Sequence, residues 1–387
     1  TGDIIEIASS ADLQKIARVS SDELSSGKKI IFVNEEIVVQ RNYDILGAIA
    51  AWGNRLIVLY PGVAATQHAM RILADKGHRA FLVGTQKYKE GDSVKITIAG
   101  GKVRITNLSR IEAQEVISLW DASLFGNELC GGKADRLSLM KIAGFQVPHG
   151  SIISTIVFDE LIDSSKTFRP LDISLFKAIH EKLGKPSRVF VEKITSLLAD
   201  YIKSERSFAV RSSATIEDTA KQSMAGMFET YLNIKGGDLP EKIVEVFRSS
   251  FSPNIASYLS DHQDLTPNLK MAVVIQEMVP AKAAGVIFGA DIRGRNADIV
   301  EIEANKGLGE GIVSGEAKEV EQFKFSRSEK RILTQKGPEI LSQAEKKALF
   351  MLSERLRKEF NDIPQDIEWA IDKEGQIWVL QSRDLIY

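Results

Sequence analysis

Short apolar runs alternate with helically spaced apolar positions over the first hundred or so residues, which is the rhythm of a small α/β unit. The runs predict strands at Lys29–Val33, Leu56–Tyr60, Ala80–Val83, Val94–Ile98 and Lys102–Ile105. Between the second and third, Ala69, Ile72 and Leu73 repeat at helical spacing within Thr66–Lys76. Gly100-Gly101 reads as the hairpin turn joining the last two strands. Arg110–Leu119 is helix-prone, and from Leu124 a larger α/β region begins. Its strands are expected at Phe208–Val210, Met271–Glu277, Ala284–Phe288 and Ile299–Ala304, followed by a charged helix, Ser342–Phe360, and a closing hairpin. The pattern divides the chain into residues 1–108, a linker over 109–122, and 123–387, the last with subdomains of about 123–235 and 236–387.

A length of 387 residues suits two or three cores better than one. A net charge of −2 offers no electrostatic footprint for nucleic acid or anionic lipid. No apolar run is long enough for a membrane span, and the amino terminus lacks a secretory pattern. A single cysteine, Cys130, excludes an internal disulfide. A cytoplasmic location is expected. Beginning at Thr1, the chain reads as a processed protein or a piece of a longer one.

Several segments carry candidate chemistry. Gly131-Gly132-Lys133 precedes an apolar helical face, so backbone amides and a lysine charge can approach a polyphosphate together. A glycine-softened helix start with a solvated lysine has the same pattern. In Phe208–Thr215 a buried strand ends at Arg211, whose planar donors match two phosphate oxygens, and the hydroxyls that follow can cap a helix or bind phosphate. An ion pair between Arg211 and Glu217-Asp218 is the competing account. Gly226 and Thr230 in Ser223–Thr230 read either as a flap over phosphates or as a tight turn. Gln276 and Glu277 interrupt an apolar strand where Met278 and Val279 could sandwich an adenine, or they are exposed positions of an edge strand.

The closing hairpin is the most informative. With Lys373-Glu374 as a two-residue loop, Asp366 lies opposite Gln381 and Glu368 opposite Val379. Ile367, Trp369, Ile371, Trp378 and Leu380 then fall on the buried face, and Asp366, Glu368, Gln381 and Arg383 gather on the other. Their oxygens suit Mg²⁺, and the arginine can neutralise a transferred phosphoryl group, although an amphipathic hairpin with a surface ion pair fits as well. In the small unit, His68 stands at a strand-to-helix connection, where helix amides favour an anionic adduct on an imidazole nucleophile. His78, His149, His180 and His262 read as structural.

These motifs resemble, in order, those of the ATP-binding domain of phosphoenolpyruvate synthase and pyruvate phosphate dikinase. The matching segments are Gly131-Gly132-Lys133-Ala134, Val210-Arg211-Ser212-Ser213, Ala225–Thr230, Gly307-Leu308-Gly309-Glu310, and Gln365–Trp369 with Leu380–Arg383. Residues 28–106 are similar to the mobile phosphohistidine domain of the same enzymes, through Thr66-Gln67-His68-Ala69. Ala74 and Arg79 depart from that pattern, standing where the family usually has arginine and proline.

The resemblance implies an α/β and α+β multidomain chain, an ATP-grasp domain preceded by a small swivelling phosphohistidine domain. It implies that Lys133, Arg211 and Arg383 hold ATP phosphates, with Gly226, Thr230 and Glu310 beside them. Gln276, Glu277 and Val279 would line the adenine pocket. Glu368 and Gln381 would bind Mg²⁺ with Asp366 in support, and His68 would shuttle a phosphoryl group from ATP, releasing AMP. The domain order is similar to the carboxy-terminal half of glucan, water dikinases. Hence the acceptor, pyruvate, a glucan or another small molecule, is expected on a missing region or another subunit. A homodimer is allowed for, and no nucleic-acid or membrane partner is expected. An ATP-grasp ligase forming ADP and a non-catalytic nucleotide-binding phosphocarrier are the alternative readings.

Overall fold

The computed structural model describes residues 2–7, 29–33, 49, 57–60, 79–82, 93–99 and 102–107. From residue 114 to 385 it describes all but 164–172, 185–186, 217, 220–221, 224–225, 263–264, 266–268, 292–295 and 309–318. The chain forms two compact units, Thr1–Glu112 and Ala113–Tyr387. Among the described residues no helix is long and apolar enough to cross a membrane.

The first unit holds six strands: β1 (Gly2–Ile7), β2 (Lys29–Val33), β3 (Ile57–Tyr60), β4 (Arg79–Leu82), β5 (Ser93–Ala99) and β6 (Lys102–Asn107). They form one sheet in the order β4-β3-β2-β1-β5-β6. The first four run parallel, and β5 and β6 pair antiparallel with Ala99 opposite Lys102. Alternation on the strands gathers Ile4, Ile30, Phe32 and Val94 into one apolar cluster. The strand β1 was not anticipated. The expected Thr66–Lys76 helix and His68 lie outside the described residues.

The second unit is mixed α/β and begins with β7 (Val116–Ser118), where the sequence suggested a helix. Two β-branched residues and their pairing with β8 (Gly150–Ile153) decide the outcome, since Ile117 is fully buried opposite Ile152. Between them lie a short helix α1 (Ala122–Phe125) and the long α2 (Asn127–Ile142). There follow β9 (Ser207–Ala214), the two-residue strands β10 (Asp218–Thr219) and β11 (Gln222–Ser223), β12 (Thr230–Lys235) and β13 (Met271–Glu277). The sheet order β12-β9-β13-β8-β7 puts β13 in the centre rather than at an edge.

The remaining strands are β14 (Ala281–Phe288), β15 (Ile299–Lys306), β16 (Glu321–Ser326), β17 (Arg331–Lys336), β18 (Gln365–Asp372) and β19 (Ile377–Asp384). They form an antiparallel sheet in the order β17-β16-β15-β14-β18-β19. Helix α3 (Gln343–Glu359) packs on it, started by a reciprocal cap in which Ser342 and Glu345 satisfy each other's backbone amides. One core joins Ala134, Leu137 and Met140 of α2 to Val274 of the first sheet and Ile302, Ile367 and Trp369 of the second. Helix α2 is therefore buried against both sheets, and the residues at its start face the space where they meet.

Candidate active site

The start of α2 is shaped by a close approach to β9. Gly131 breaks the helix at φ 72° and ψ 164°, and a Cβ there would lie 1.9 Å from the Ser213 carbonyl oxygen. The Ser213 hydroxyl donates to Cys130 O over 2.8 Å and accepts from Ala134 N over 3.1 Å, so it caps the restarted helix from a distant strand. Lys133 is thereby buried beside β9, where its Nζ donates to Ser212 O over 2.9 Å. Arg211 does not end its strand as expected. Strand β9 continues to Ala214 because Ser212 and Ser213 stay in the ladder opposite Val273 and Ala272. Arg211 is thus held in mid-strand between Thr230 of β12 and Val274 of β13.

The β18–β19 hairpin differs in register from the two-residue turn. Gly375 at φ 85° closes a three-residue loop, with its amide bonded to Asp372 O over 3.1 Å. A bulge at Leu380 shifts the ladder by one more position. Glu368 now faces Gln381, and Asp366 faces Arg383. Val379 takes the core position, whereas Trp378 and Leu380 join Val279, Ala284 and Ala370 in a small apolar cluster on the other side. The four polar residues still share a face, as expected.

Across the gap, Arg211 Nη2 donates to Glu368 Oε2 over 2.5 Å and to Gln381 Oε1 over 2.7 Å, and Nη1 donates to Leu380 O over 3.0 Å. Burial pushes the Glu368 carboxyl up, but Arg211, Lys133 and Arg383 outweigh it and hold the group below the usual range. Asp366 behaves oppositely. Burial drives it up despite two bonds from Arg383 to Oδ2, at 2.8 Å from Nε and 2.5 Å from Nη2.

A cavity of about 590 Å³ opens between the sheets, with Lys133, Arg211, Arg383, Glu368 and Gln381 at one end. Met278, Val279, Ala284 and Ala370 line it at the apolar end, and Gly226 and Thr230 border it from the β12 side. Gln276 is 2% exposed, lines the cavity, and has no hydrogen-bond partner at Nε2. Such a group fits a ligand acceptor, because an unpaired buried donor costs about 1–3 kcal/mol. Glu277 also lines the cavity and pairs with Arg206. Among the described residues no group of three or more His, Cys, Asp and Glu could hold a metal ion. Glu310 and His68 lie outside the described residues.

Residues 127–340 match the model of the pyruvate phosphate dikinase AMP/ATP-binding domain. The chain belongs to this family. It is 30% identical to rifampicin phosphotransferase of Bacillus subtilis over 66% of this chain and 34% of that protein. It is 31% identical to a probable phosphoenolpyruvate synthase of Archaeoglobus fulgidus over 69% of this chain and 41% of that protein. A probable phosphoenolpyruvate synthase of Methanocaldococcus jannaschii is 29% identical over 67% of this chain and 25% of its own length. The chain thus spans between a quarter and about two fifths of these relatives. An L-amino acid ligase from Bacillus licheniformis aligns at 12% identity and a TM-score of 0.26 over 60% of this chain and 55% of that chain, a likeness too slight to bear on the fold.

This pyruvate phosphate dikinase-type domain has site features that the motifs did not reveal. Leu380 enters through a backbone carbonyl, for which side-chain patterns carry no signal. Ala284 and Gly285 line the cavity, and Gly285 has no room for a side chain. A Cβ on Gly285 would meet Glu303 O at 1.8 Å and the Trp369 ring at 2.9 Å. The run Ala281-Lys282-Ala283-Ala284-Gly285 was the available signal, since small residues in a buried strand mark a close approach.

Proposed function

We propose that residues 113–387 act as an ATP-grasp module that binds Mg-ATP between the two sheets and drives a dikinase-type transfer through His68. The observation carrying this reading is Arg211, a cation of one sheet bonded to both Glu368 and Gln381 of the other, at the polar end of a cavity whose far end is apolar. The apolar slot suits a base, with Gln276 Nε2 as a free donor to it. Lys133, Arg211 and Arg383 bring three positive charges to the polyphosphate end, where little covalent chemistry is asked of the protein beyond positioning and neutralisation.

The site also fits a magnesium ion. Glu368 Oε2 and Gln381 Oε1 already converge on one cationic nitrogen, and both are hard oxygen donors. With so few protein ligands the remaining positions suit phosphate oxygens and water. Bound there, Mg²⁺ would neutralise charge on the phosphates. Glu368 stays ionised for this role because of its cationic neighbours, and Arg383 is held in line by Asp366.

In the proposed transfer an imidazole nitrogen of His68 attacks the β-phosphorus. The bond from that phosphorus to the α-phosphate oxygen breaks, and AMP leaves with the electron pair. The γ-phosphoryl group goes to water or phosphate, and His68 passes its group to an acceptor such as pyruvate, rifampicin or a glucan. This step draws on the Thr66–Ala69 sequence and on the relatives' names.

The test is intact-mass and label analysis of the full chain with Mg-ATP. A label from the β-phosphate that is lost in His68→Ala, with AMP as product, is the expected result. ADP as sole product would favour a ligase, and nucleotide binding without any transfer would favour a carrier or sensor.

A further inference from the structure

We infer that Arg136 is a positioning residue that sets the spacing of Lys133 and Arg211 from the Glu368–Gln381 pair. This rests on the nucleotide reading given above. Arg136 lies on α2 one turn beyond Lys133, away from the cavity lining. Its guanidinium stacks 3.2 Å from the centre of the Phe360 ring, and Nη2 donates over 2.5 Å to both Gln365 Oε1 and Asp384 Oδ1.

Those partners are the opening rung of the β18–β19 ladder. Gln365 faces Asp384, Asp366 faces Arg383 on the next rung, and Glu368 faces Gln381 two rungs further. The rung is locked internally as well. Gln365 Nε2 donates to Asp384 Oδ1 over 3.0 Å, and Ser382 Oγ donates to Gln365 Oε1 over 3.0 Å. Gln365 is fully buried, so an unpaired amide there would be costly.

The same helix is pinned to the other sheet one turn earlier, through Ser213 at Ala134 and Ser212 at Lys133. Helix α2 is therefore a tie between the sheets, fastened to β9 at its start and to the β18–β19 hairpin through Arg136. Lys133 sits on the tie itself, Arg211 on β9, and Glu368, Gln381 and Arg383 on the hairpin. A guanidinium stacked on Phe360, with its Nη2 shared between two acceptors, restricts the angle as well as the length of this joint. Loosening it frees the hairpin to drift from Lys133 and Arg211, and small misplacements of reacting groups are costly. At the apolar end Met278 and Val279 follow β13 and lie outside the hairpin, which contributes Ala370 and Leu380 there.

The separating experiment is titration calorimetry of the full chain with Mg-AMPPNP, which spans the polar end, and with AMP, which reaches only to the α-phosphate. Arg136→Met is expected to lose about 10-fold in Mg-AMPPNP affinity, in the range for residues that orient metal and phosphate ligands, while AMP affinity falls by a clearly smaller factor. Equal affinity for Mg-AMPPNP, or parallel loss of both ligands, would overturn the positioning role. If thermal unfolding shows Arg136→Met to be misfolded, Asp384→Asn decides by the same criteria from the exposed side of the cluster. A wild-type chain that binds neither ligand would sink the nucleotide reading itself, a result distinct from any pattern among the variants.

Discussion

Arg211 donates to Glu368 over 2.5 Å from the opposite sheet, so one ion pair closes the polar end of the cavity. A guanidinium nitrogen thus stands between the two oxygens proposed for the metal. In the wild type, metal without nucleotide must displace this internal cation, whereas incoming phosphates give Arg211 another partner. Arg211→Met should therefore bind Mn²⁺ alone more tightly than the wild type while losing about 10-fold or more in Mg-AMPPNP affinity. Paramagnetic titration of Mn²⁺ measures the first effect and calorimetry the second. Unchanged Mn²⁺ binding would show that the guanidinium does not compete for the pair.

A second ion pair acts on stability rather than on the site. Lys346 of α3 and Glu321 of β16 are both fully buried with 2.6 Å between Nζ and Oε1. Glu321 also accepts from the amides of Ile340 and Leu341 over 2.8 and 2.9 Å and from Gln335 over 2.9 Å. Lys346→Met leaves this carboxylate buried without its counter-charge and should cost about 3–5 kcal/mol in urea unfolding. Adding Glu321→Gln to that variant should recover part of the loss. A loss below about 1 kcal/mol would mean that the carboxylate finds water or protonates instead.

Gly131 and Gly375 separate steric need from conformational need. Both have positive φ, at 72° and 85°, but an added Cβ meets Ser213 O at 1.9 Å in the first and nothing within 4 Å in the second. Gly375→Ala should cost only the left-handed backbone penalty, about 1–2 kcal/mol. Gly131→Ala must also move β9 from α2, so a loss of about 3 kcal/mol or more is expected, with weakened Mg-AMPPNP binding because Lys133 moves too. Similar unfolding midpoints for the two variants would contradict the close packing of α2 on β9.

How much of this was readable beforehand follows from the range of each interaction. Strands β2 and β13 run over the expected residues, and the helix Gln343–Glu359 falls within the expected charged helix Ser342–Phe360. Asp366, Glu368, Gln381 and Arg383 were placed on one face because a hairpin is local and has a period of two. Their register differs from the expected one in two ways: Gly375 at the left-handed position marks a three-residue loop, a signal present in the sequence, whereas the Leu380 bulge has no distinct composition. Arg211 was put at a strand end because Ser212 and Ser213 look like a polar boundary, yet Ser213 is needed inside to cap α2. The Arg136 joint left no trace in any window, with partners 229 and 248 residues away.

Asp372 gives a test of acid behaviour away from the proposed ligands. It is 7% exposed, and Oδ2 accepts from Trp378 Nε1 over 2.7 Å while Oδ1 accepts from the amides of Gln376 and Glu374 over 2.8 and 3.1 Å. Burial alone would raise its carboxyl, but these donors outweigh it and hold the group below its usual range. A depressed folded-state value means that the unfolded chain takes up the proton first. The stabilisation is therefore complete above the unfolded value of about 4 and fades as pH falls through the folded one. Asp372→Asn cannot ionise and places a donor against donors, so it should lose about 1–3 kcal/mol at neutral pH. The gap between wild type and variant should narrow as urea unfolding is followed down to about pH 3. A gap that stays constant, or widens, on acidification would show that the ionised carboxylate is not what fastens the β18–β19 loop to Trp378.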